Sequence, residues 1–547
     1  MKRSINRLFI AVIALSIFSS CKKQLIENNP SGATVQSLFT TPDGFEAAVN
    51  GAYTYNRSIY GKEEGMALLE MGTDIWAAAA NAGSSGTNGV YPQPALINYQ
   101  GLDATNVWVK TNMWQVCYTA INLTNTALKY INQAGLSAAR RPVLEGELRF
   151  LRAWYYWHLV QSFGDVPLNL EPTEALITTA TRTSVDKVYE QIFADMNFAV
   201  ANLPTTTSDY GRVTKPVAEA FMARLFITRG ENQKASNYAN SVIKNYGFKL
   251  LSNYADLWNM NNQKNSEVLW AVNYSTNLTF NAGSNLTHAL FLMEYNTQPG
   301  MIRDIANGYP YIRYMPTQFL LNLYTEQDDA RYNASFKSVW LANQPDASKR
   351  PAGMNIGDTA ILVSKYAIPA AQRVGKKYKI YDVSDVYNTT GVPKDRSHYI
   401  SLKKFDDPTR PTDATLESSR DAFIIRLAEM YLIGAEAQFK LGKLDSAAYF
   451  INTIRTRAAV SGHAAAMQVT TGQINLGFIL DEWAREFAGE QMRWMVLKRT
   501  GKLVERVKKY NPDVAPNIQD YHVLRPIPQA QIDALTNKAD FKQSPGY

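Results

Sequence analysis

Apolar positions recur at intervals of three and four residues over two separated stretches of the chain, 41–246 and 421–500, the period of helices that bury one stripe. Trp114, Tyr118, Ile121 and Leu128 fall on one such stripe, and Leu148, Leu151, Tyr155 and Leu159 on another. Between the two stretches the period fades. Residues 247–420 are rich in Asn, Gly, Pro and Tyr, and carry short strand-like runs such as Val268–Tyr274 and Lys376–Val383 among long loops. An irregular segment of that length with so many aromatic side chains predicts a folded second lobe rather than disorder.

Two helix pairs have tetratricopeptide spacing, in which small residues let neighbouring helices approach. Ala223 and Ala235 flank a turn at Gly230, and Ala435 and Ala447 flank Gly442 within LIGAEAQFKLGKLDSAAYFINTIR, residues 432–455. A single unit cannot bury both faces, so helices from 105–163 and 184–203 are expected to complete the stack. The predicted fold class is mainly α, a tetratricopeptide-like helical scaffold with an inserted irregular ligand-binding lobe poor in regular α/β structure. The predicted divisions are 1–20, 21–40, 41–246 (scaffold), 247–420 (lobe) and 421–547 (closing helix pairs and tail).

The first segment reads as an export signal. Lys2, Arg3 and Arg7 precede an apolar run from Leu8 to Phe18, and Ser19 and Ser20 precede Cys21. That run is too short to cross a bilayer, which takes ~20 apolar residues. Small residues before a cysteine predict a lipoprotein, with Cys21 acylated as the membrane anchor and residues 21–40 as tether. The other cysteine, Cys117, then has no partner, which excludes a disulfide framework. The formal charge is +8, or +5 without the three leader cations, too mild and dispersed to imply nucleic acid. The densest basic run, Lys498, Arg499, Lys502, Arg506, Lys508 and Lys509, is expected to be a solvated helix face.

Catalytic readings find little support. Glu482, Glu486 and Glu490 stack at i, i+4 on one helix beside Arg485 and Arg493, a spacing for ion pairing rather than for flanking a scissile bond. The histidines, His158, His288, His398, His463 and His522, are scattered without metal-ligand spacing. The loop Gly83–Gly89 lacks the Lys-Ser/Thr of a phosphate loop and the nucleophile motif of a hydrolase, and reads as flexible. No enzyme activity, cofactor or metal is predicted. Aromatic residues in polar loops carry more information, because a sugar ring offers C–H patches to an aromatic face while its hydroxyls take Asn, Asp or Arg. Two such clusters are candidate ligand contacts: Asp74, Trp76, Asn81, Tyr91 and Tyr99, then Tyr295, Tyr309, Tyr311 and Arg313.

Three ordered blocks resemble the SusD/RagB family of outer-membrane nutrient-binding lipoproteins. They are GELRFLRAWYYWHLVQSFGDVPLNL at 146–170, DEWAREFAGEQMRWMVLKRTG at 481–501, and the ending formed by LRPIP at 524–528 and QSPGY at 543–547. Val496 departs from the family pattern, which carries Asp after Arg-Trp, and Lys22–Pro30 holds a single acid, Glu27, where surface-exported relatives often have several. The resemblance implies a non-catalytic lipoprotein facing outward from the outer membrane. It would capture an oligosaccharide, or less often a peptide, on loops in about the two candidate regions and deliver it to a TonB-dependent transporter. Rival readings are a tetratricopeptide scaffold that binds a protein, and a hydrolase with unrecognised carboxylates.

Overall fold

The computed structural model describes residues 38–83, 93–281 and 285–547. The expected signal peptide, Cys21, most of the tether, Tyr91 and all but the first residue of the Gly83–Gly89 loop lie outside those residues. Helices form where the three-four period is strongest: α1 (Pro42–Thr54), α2 (Val116–Tyr130), α3 (Arg140–Phe163), α4 (Val185–Asn202), α5 (Lys215–Thr228) and α6 (Asn232–Asn245). After the lobe come α7 (Leu427–Lys440), α8 (Leu444–Arg457), α9 (Leu476–Phe487) and α10 (Leu503–Tyr510). Helix α1 starts on the signal its sequence carries, with the Thr41 side chain accepting from the Gly44 N–H and Pro42 at the first turn.

Successive helices pack as neighbours from α2 to α6, and α6 then packs on α7 as α7 does on α8. The chain therefore leaves the stack at Asn245 and rejoins it beside the helix it left, which is how a large lobe is accommodated without breaking the scaffold. The expected alanines are all buried at the helix crossings: Ala223, Ala235, Ala435 and Ala447. Gly434 shows the closeness required, since a Cβ there would meet the Phe450 ring at 3.0 Å. Helix α3 is buried on every side from Phe150 to Phe163. Its Trp154 is wedged edge-to-face against Phe221 and Trp270, both at 5.0 Å, burial worth ~1.5–3 kcal/mol per large apolar side chain.

Sheet is sparse and mostly in the lobe. Strands β1 (Trp76–Ala78) and β3 (Tyr314–Pro316) pair antiparallel, as do β2 (Val268–Val272) with β9 (Ala422–Arg426) and β4 (Phe336–Lys337) with β8 (Ser401–Leu402). A three-stranded sheet joins β5 (Val339–Leu341), β6 (Thr359–Val363) and β7 (Lys379–Tyr381). The strand-like runs are real but shorter than expected. The lobe boundary also differs from the sequence division. Met66, Met71, Trp76 and Ile97 pack into the lobe's core although they precede residue 247, while Trp270, Val272 and Tyr274 belong to the scaffold's core. Pairing of β2 with β9 pulls the lobe's first strand onto the helices at the neck.

The three sequence blocks meet in space. The Arg525 N–H donates to the Ser162 carbonyl at 2.7 Å, and the Arg525 guanidinium lies 4.4 Å from the Trp494 ring. Within the closing block, Tyr547 Oη donates to the Leu524 carbonyl at 2.9 Å, and the Gln543 amide brackets the Ile527 backbone at 2.7 Å on both sides. Val496, the departure from the family pattern, is buried in the apolar core. The basic run is not the solvated face expected. Lys498 donates to the Gln161 carbonyl, Arg499 pairs with buried Glu436 at 2.7 Å, and Arg506 pairs with buried Asp74 at 2.7 Å. Lys508 and Lys509 remain exposed. Among the described residues, no helix is long and apolar enough to cross a membrane.

Candidate ligand-binding site

The two aromatic clusters, far apart in sequence, are zipped together by β1 and β3. The ladder pairs Trp76 with Pro316 and Ala78 with Tyr314, then continues past the strands through Ala79 N–H to Arg313 O and Asn81 N–H to Ile312 O, both 3.0 Å. Backbone bonds from Tyr311 to Ala289, from Glu294 to Ser397 and from Ala80 to Arg396 add two more segments to the same patch. The turn at its centre is strained: Ile312 has φ +56°, a conformation β-branched residues avoid and one that costs ~1–3 kcal/mol.

Of the predicted residues, Tyr309, Tyr311 and Asn81 come together half-exposed. The two tyrosines meet edge-to-face at 6.0 Å and 82°, and Asn81 Nδ2 lies 3.4 Å from the Tyr311 carbonyl oxygen. Guanidinium groups cover one face of each ring, Arg303 over Tyr309 at 4.5 Å and Arg313 over Tyr311 at 4.3 Å. Such cation–π contacts hold the rings in place and are worth ~0.5–1 kcal/mol at exposed sites.

The other predicted contacts require correction, because the structure spends them on the interior. Trp76 is fully buried against Phe291 at 4.6 Å, its indole N–H bonded to Glu70 at 2.9 Å. Asp74 is sealed between Arg493 and Arg506. Burial alone would raise its carboxyl, but those two guanidinium groups hold it below the usual range. Tyr99 packs on His522 at 4.5 Å and donates to the Gly72 carbonyl at 2.7 Å. Tyr295 stacks on Trp340 at 4.3 Å and donates to the Gly308 carbonyl at 2.6 Å. Arg313 is buried and paired with Glu63 at 2.8 Å, so it supports the site from beneath. None of these five presents a face to a ligand in this arrangement.

Sequence reasoning missed Gln298, Tyr381 and His398. Tyr381 and His398 stack at 4.4 Å with nearly parallel planes, and Gln298 bridges them, its amide accepting from Tyr381 Oη and lying against His398 Nε2, both at 2.8 Å. His398 Nδ1 sits 2.9 Å from Asp395. Burial would raise the Asp395 carboxyl, yet the imidazole and two backbone N–H groups hold it below its ordinary value. Tyr381 is pushed up to about 12, by burial first and by Asp395 next. The aromatic density of KKYKIYDV was the available signal, but the strand-like reading of that run masked it.

Glu482 and Glu486 stack on α9, but Glu490 lies past the helix end at Phe487 rather than on the same helix as expected, and the three form an internal ion-pair network. Glu482 meets Arg331 at 2.8 Å and Arg455 at 2.9 Å; Glu486 meets Arg331 at 3.0 Å and Arg426 at 2.7 Å; Glu490 meets Arg426 and Lys404, each at 2.8 Å. Arg485 joins through Glu482 at 2.5 Å, as its spacing predicts, whereas Arg493 turns to Asp74 instead. Burial would raise the carboxyls of Glu482 and Glu486, but the arginines prevail: Glu482 is held down to about 2 and Glu486 well below the carboxylate range. Permanently ionised, buried groups are poorly matched to proton transfer near neutrality. No cluster of three or more potential metal ligands occurs among the described residues.

Known proteins resemble this chain along its length. Residues 257–547 match the SusD family, and residues 88–227 match a family described as starch-binding associating with outer membrane. SusD-like protein P25 of Formosa agariphila is 25% identical over 97% of this chain and 98% of its own. Starch-binding protein SusD of Bacteroides thetaiotaomicron is 25% identical over 76% of this chain and 74% of its own. Among solved structures, a laminarin binding SusD-like protein superposes with a TM-score of 0.66 at 23% identity, covering 93% of this chain and all of its own. Surface glycan-binding protein A from Bacteroides fluxus gives 0.68 at 20% identity with the same coverage. These two likenesses speak to the fold, the tetratricopeptide-like helical scaffold.

Proposed function

This chain belongs to the SusD family, and from that premise we propose that it is a non-catalytic receptor that captures an oligosaccharide on the Tyr309–Tyr311 surface of the lobe. The observation that carries the reading is the convergence of Asn81, Tyr309 and Tyr311 on one half-exposed patch held by a strained turn. Aromatic faces take the C–H patches of a sugar and the neighbouring amide takes its hydroxyls, with no reacting group required. The glycan-binding names carried by relatives support a carbohydrate over a peptide. Acylation at Cys21 would tether the protein to the outer membrane, facing outward, and a TonB-dependent transporter would receive the ligand; both follow the family resemblance.

Calorimetric titration of the protein with plant, microbial and host oligosaccharides, alongside short peptides, tests this. Saturable heat from one glycan class, lost at least ten-fold in affinity in Tyr309→Ala and Tyr311→Ala at unchanged melting temperature, is the expected result. A ten-fold change corresponds to ~1.4 kcal/mol. Heat from peptides alone would move the ligand class, and binding indifferent to both substitutions would reject the site. Release of the protein from membranes by Cys21→Ala tests the anchor. Co-purification with a barrel transporter tests the partner.

A further inference from the structure

A second groove opens on the scaffold side of the neck and shares no residue with the lobe patch. It runs between the end of α1 and the following turn (Asn50, Thr54, Arg57), the loop Asp209–Arg212 ahead of α5, and β2 with its exit through Asn273 to Phe280. Its volume is about 850 Å³, within the ~300–1,000 Å³ of small-ligand sites.

The floor of this groove is rigid. Arg212 pairs with Glu147 at 2.9 Å and Glu46 at 3.0 Å while donating to Asn50 Oδ1 at 2.6 Å. The Trp270 indole N–H is bonded to the Gly211 carbonyl at 2.9 Å. Gly211 is at φ +98°, and a Cβ there would stand 2.6 Å from the Asn273 amide nitrogen. Arg57 ties the two sides together, donating to the Asn273 carbonyl at 3.0 Å and the Phe280 carbonyl at 2.9 Å. The guanidinium groups are thus engaged within the protein; apart from the exposed Asp209 carboxylate, 3.4 Å from Arg212, the groove offers a ligand neutral hydroxyls and amides.

Two features of the groove wall are left unsatisfied by the protein itself. Phe280 stands on the rim with 65% of its surface exposed, an aromatic platform with nothing stacked on it among the described residues. Asn273 donates through Nδ2 to the Tyr210 carbonyl at 2.6 Å, but its buried Oδ1 has no partner among the described residues. A buried acceptor without a donor is costly, and because Asn273 lines the groove, a turn of its amide toward the opening would let a ligand hydroxyl relieve it. An aromatic platform, a waiting acceptor, surrounding hydroxyls and internally matched charges fit a neutral, hydroxyl-rich molecule with apolar faces. From this geometry we infer that the groove is a second oligosaccharide-binding site, independent of the lobe patch.

The test is calorimetric titration of the whole protein with three hexasaccharides, β-1,3-glucan, α-1,4-glucan and β-1,4-xylan, in wild type and in Tyr309→Ala, which silences the lobe patch. One hexasaccharide is expected to bind Tyr309→Ala with a stoichiometry of one, and adding Phe280→Ala should weaken that binding at least ten-fold at unchanged melting temperature. Thr54→Ala, an exposed hydroxyl on the opposite wall, should weaken it by a smaller factor. Residual binding indifferent to both Phe280→Ala and Thr54→Ala overturns the inference, as does silence of Tyr309→Ala toward all three sugars at millimolar concentration. Sensitivity to Phe280→Ala with short peptides but not with sugars overturns the ligand class. Failure of the lobe site reads differently: Tyr309→Ala would then leave the wild-type isotherm unaltered while Phe280→Ala removes it.

Discussion

Arginine lies against an aromatic ring in two regions of this molecule, and the two could hardly differ more. At the junction of scaffold and lobe, Arg426 covers the Phe487 ring at 3.8 Å, almost wholly buried, with Glu267, Glu486 and Glu490 all within ion-pair distance. On the lobe, Arg303 covers Tyr309 at 4.5 Å with a third of its side chain exposed and Asp413 3.7 Å away. The same pair of groups is sealed and saturated in one place, open and loosely held in the other. Saturation inside the protein builds structure; groups left with spare surface are what a ligand can engage.

The largest effect that would break this comparison comes from Glu486. Its replacement by Gln strips charge from a site shared by Arg331, Arg426 and Arg457, and breaking a buried pair in this way costs ~3–5 kcal/mol. Denaturant unfolding of Glu486→Gln is expected to show that loss, while glycan affinity stays within two-fold of wild type. A selective fall in affinity at normal stability would transfer the network from structure to recognition. Next comes the contrast between two aromatic residues that look alike in sequence. Trp76→Ala should cost ~3–5 kcal/mol, as truncation of a fully buried ring does, whereas Tyr309→Ala should leave stability within ~0.5 kcal/mol and act on affinity. Equal losses of melting temperature would show Tyr309 to be core.

Acid separates the layers of the interior. His158 is buried beside Trp154 and Tyr60, and burial first, then Arg224, pushes it down to about 3. A histidine held neutral contributes stability that is complete above its ordinary value near 6.5, and is lost as pH falls toward 3. Glu482, held down to about 2, contributes stability that is complete above ~4.5 and is lost as pH falls through 2. Melting temperature should therefore decline from pH 6.5 downward. His158→Gln should flatten the upper part of that decline and Glu482→Gln the part below pH 4.5. The measurement is a series of thermal melts; parallel curves for all three proteins would remove both assignments.

What the sequence disclosed follows from how local each signal is. The helix pairs at Ala223/Ala235 and Ala435/Ala447 were legible because a helical stripe and its turn lie within a few residues of each other. The joining of Asn81 to Tyr311 was not, since it spans 230 residues and depends on a short ladder between β1 and β3. Asp74 and Trp76 illustrate a further limit. A polar loop that binds sugar and a buried loop that satisfies its own Asp and Trp have the same composition, and the arginines that decide between them, Arg493 and Arg506, lie more than four hundred positions away. Tyr309 and Tyr311 differ from Tyr99 and Tyr295 in exposure, which no spacing rule encodes.

The basic run carries the smallest prediction, and it sharpens the comparison within a single helix. On α10, Arg506 turns inward to Asp74 at 2.7 Å and Asp481 at 2.5 Å, while Lys508 and Lys509 two and three positions on face solvent. Residues two apart on a helix point about 200° from one another, so one stretch of like charges divides between core and surface. Lys508→Gln and Lys509→Gln are expected to shift stability by less than ~0.5 kcal/mol, measured by denaturant midpoint. Arg506→Gln leaves Asp74 with one cation fewer in the interior and should exceed them several-fold. Were the lysines to cost as much as Arg506, charge along this run would be acting collectively, and burial would no longer be what distinguishes its members.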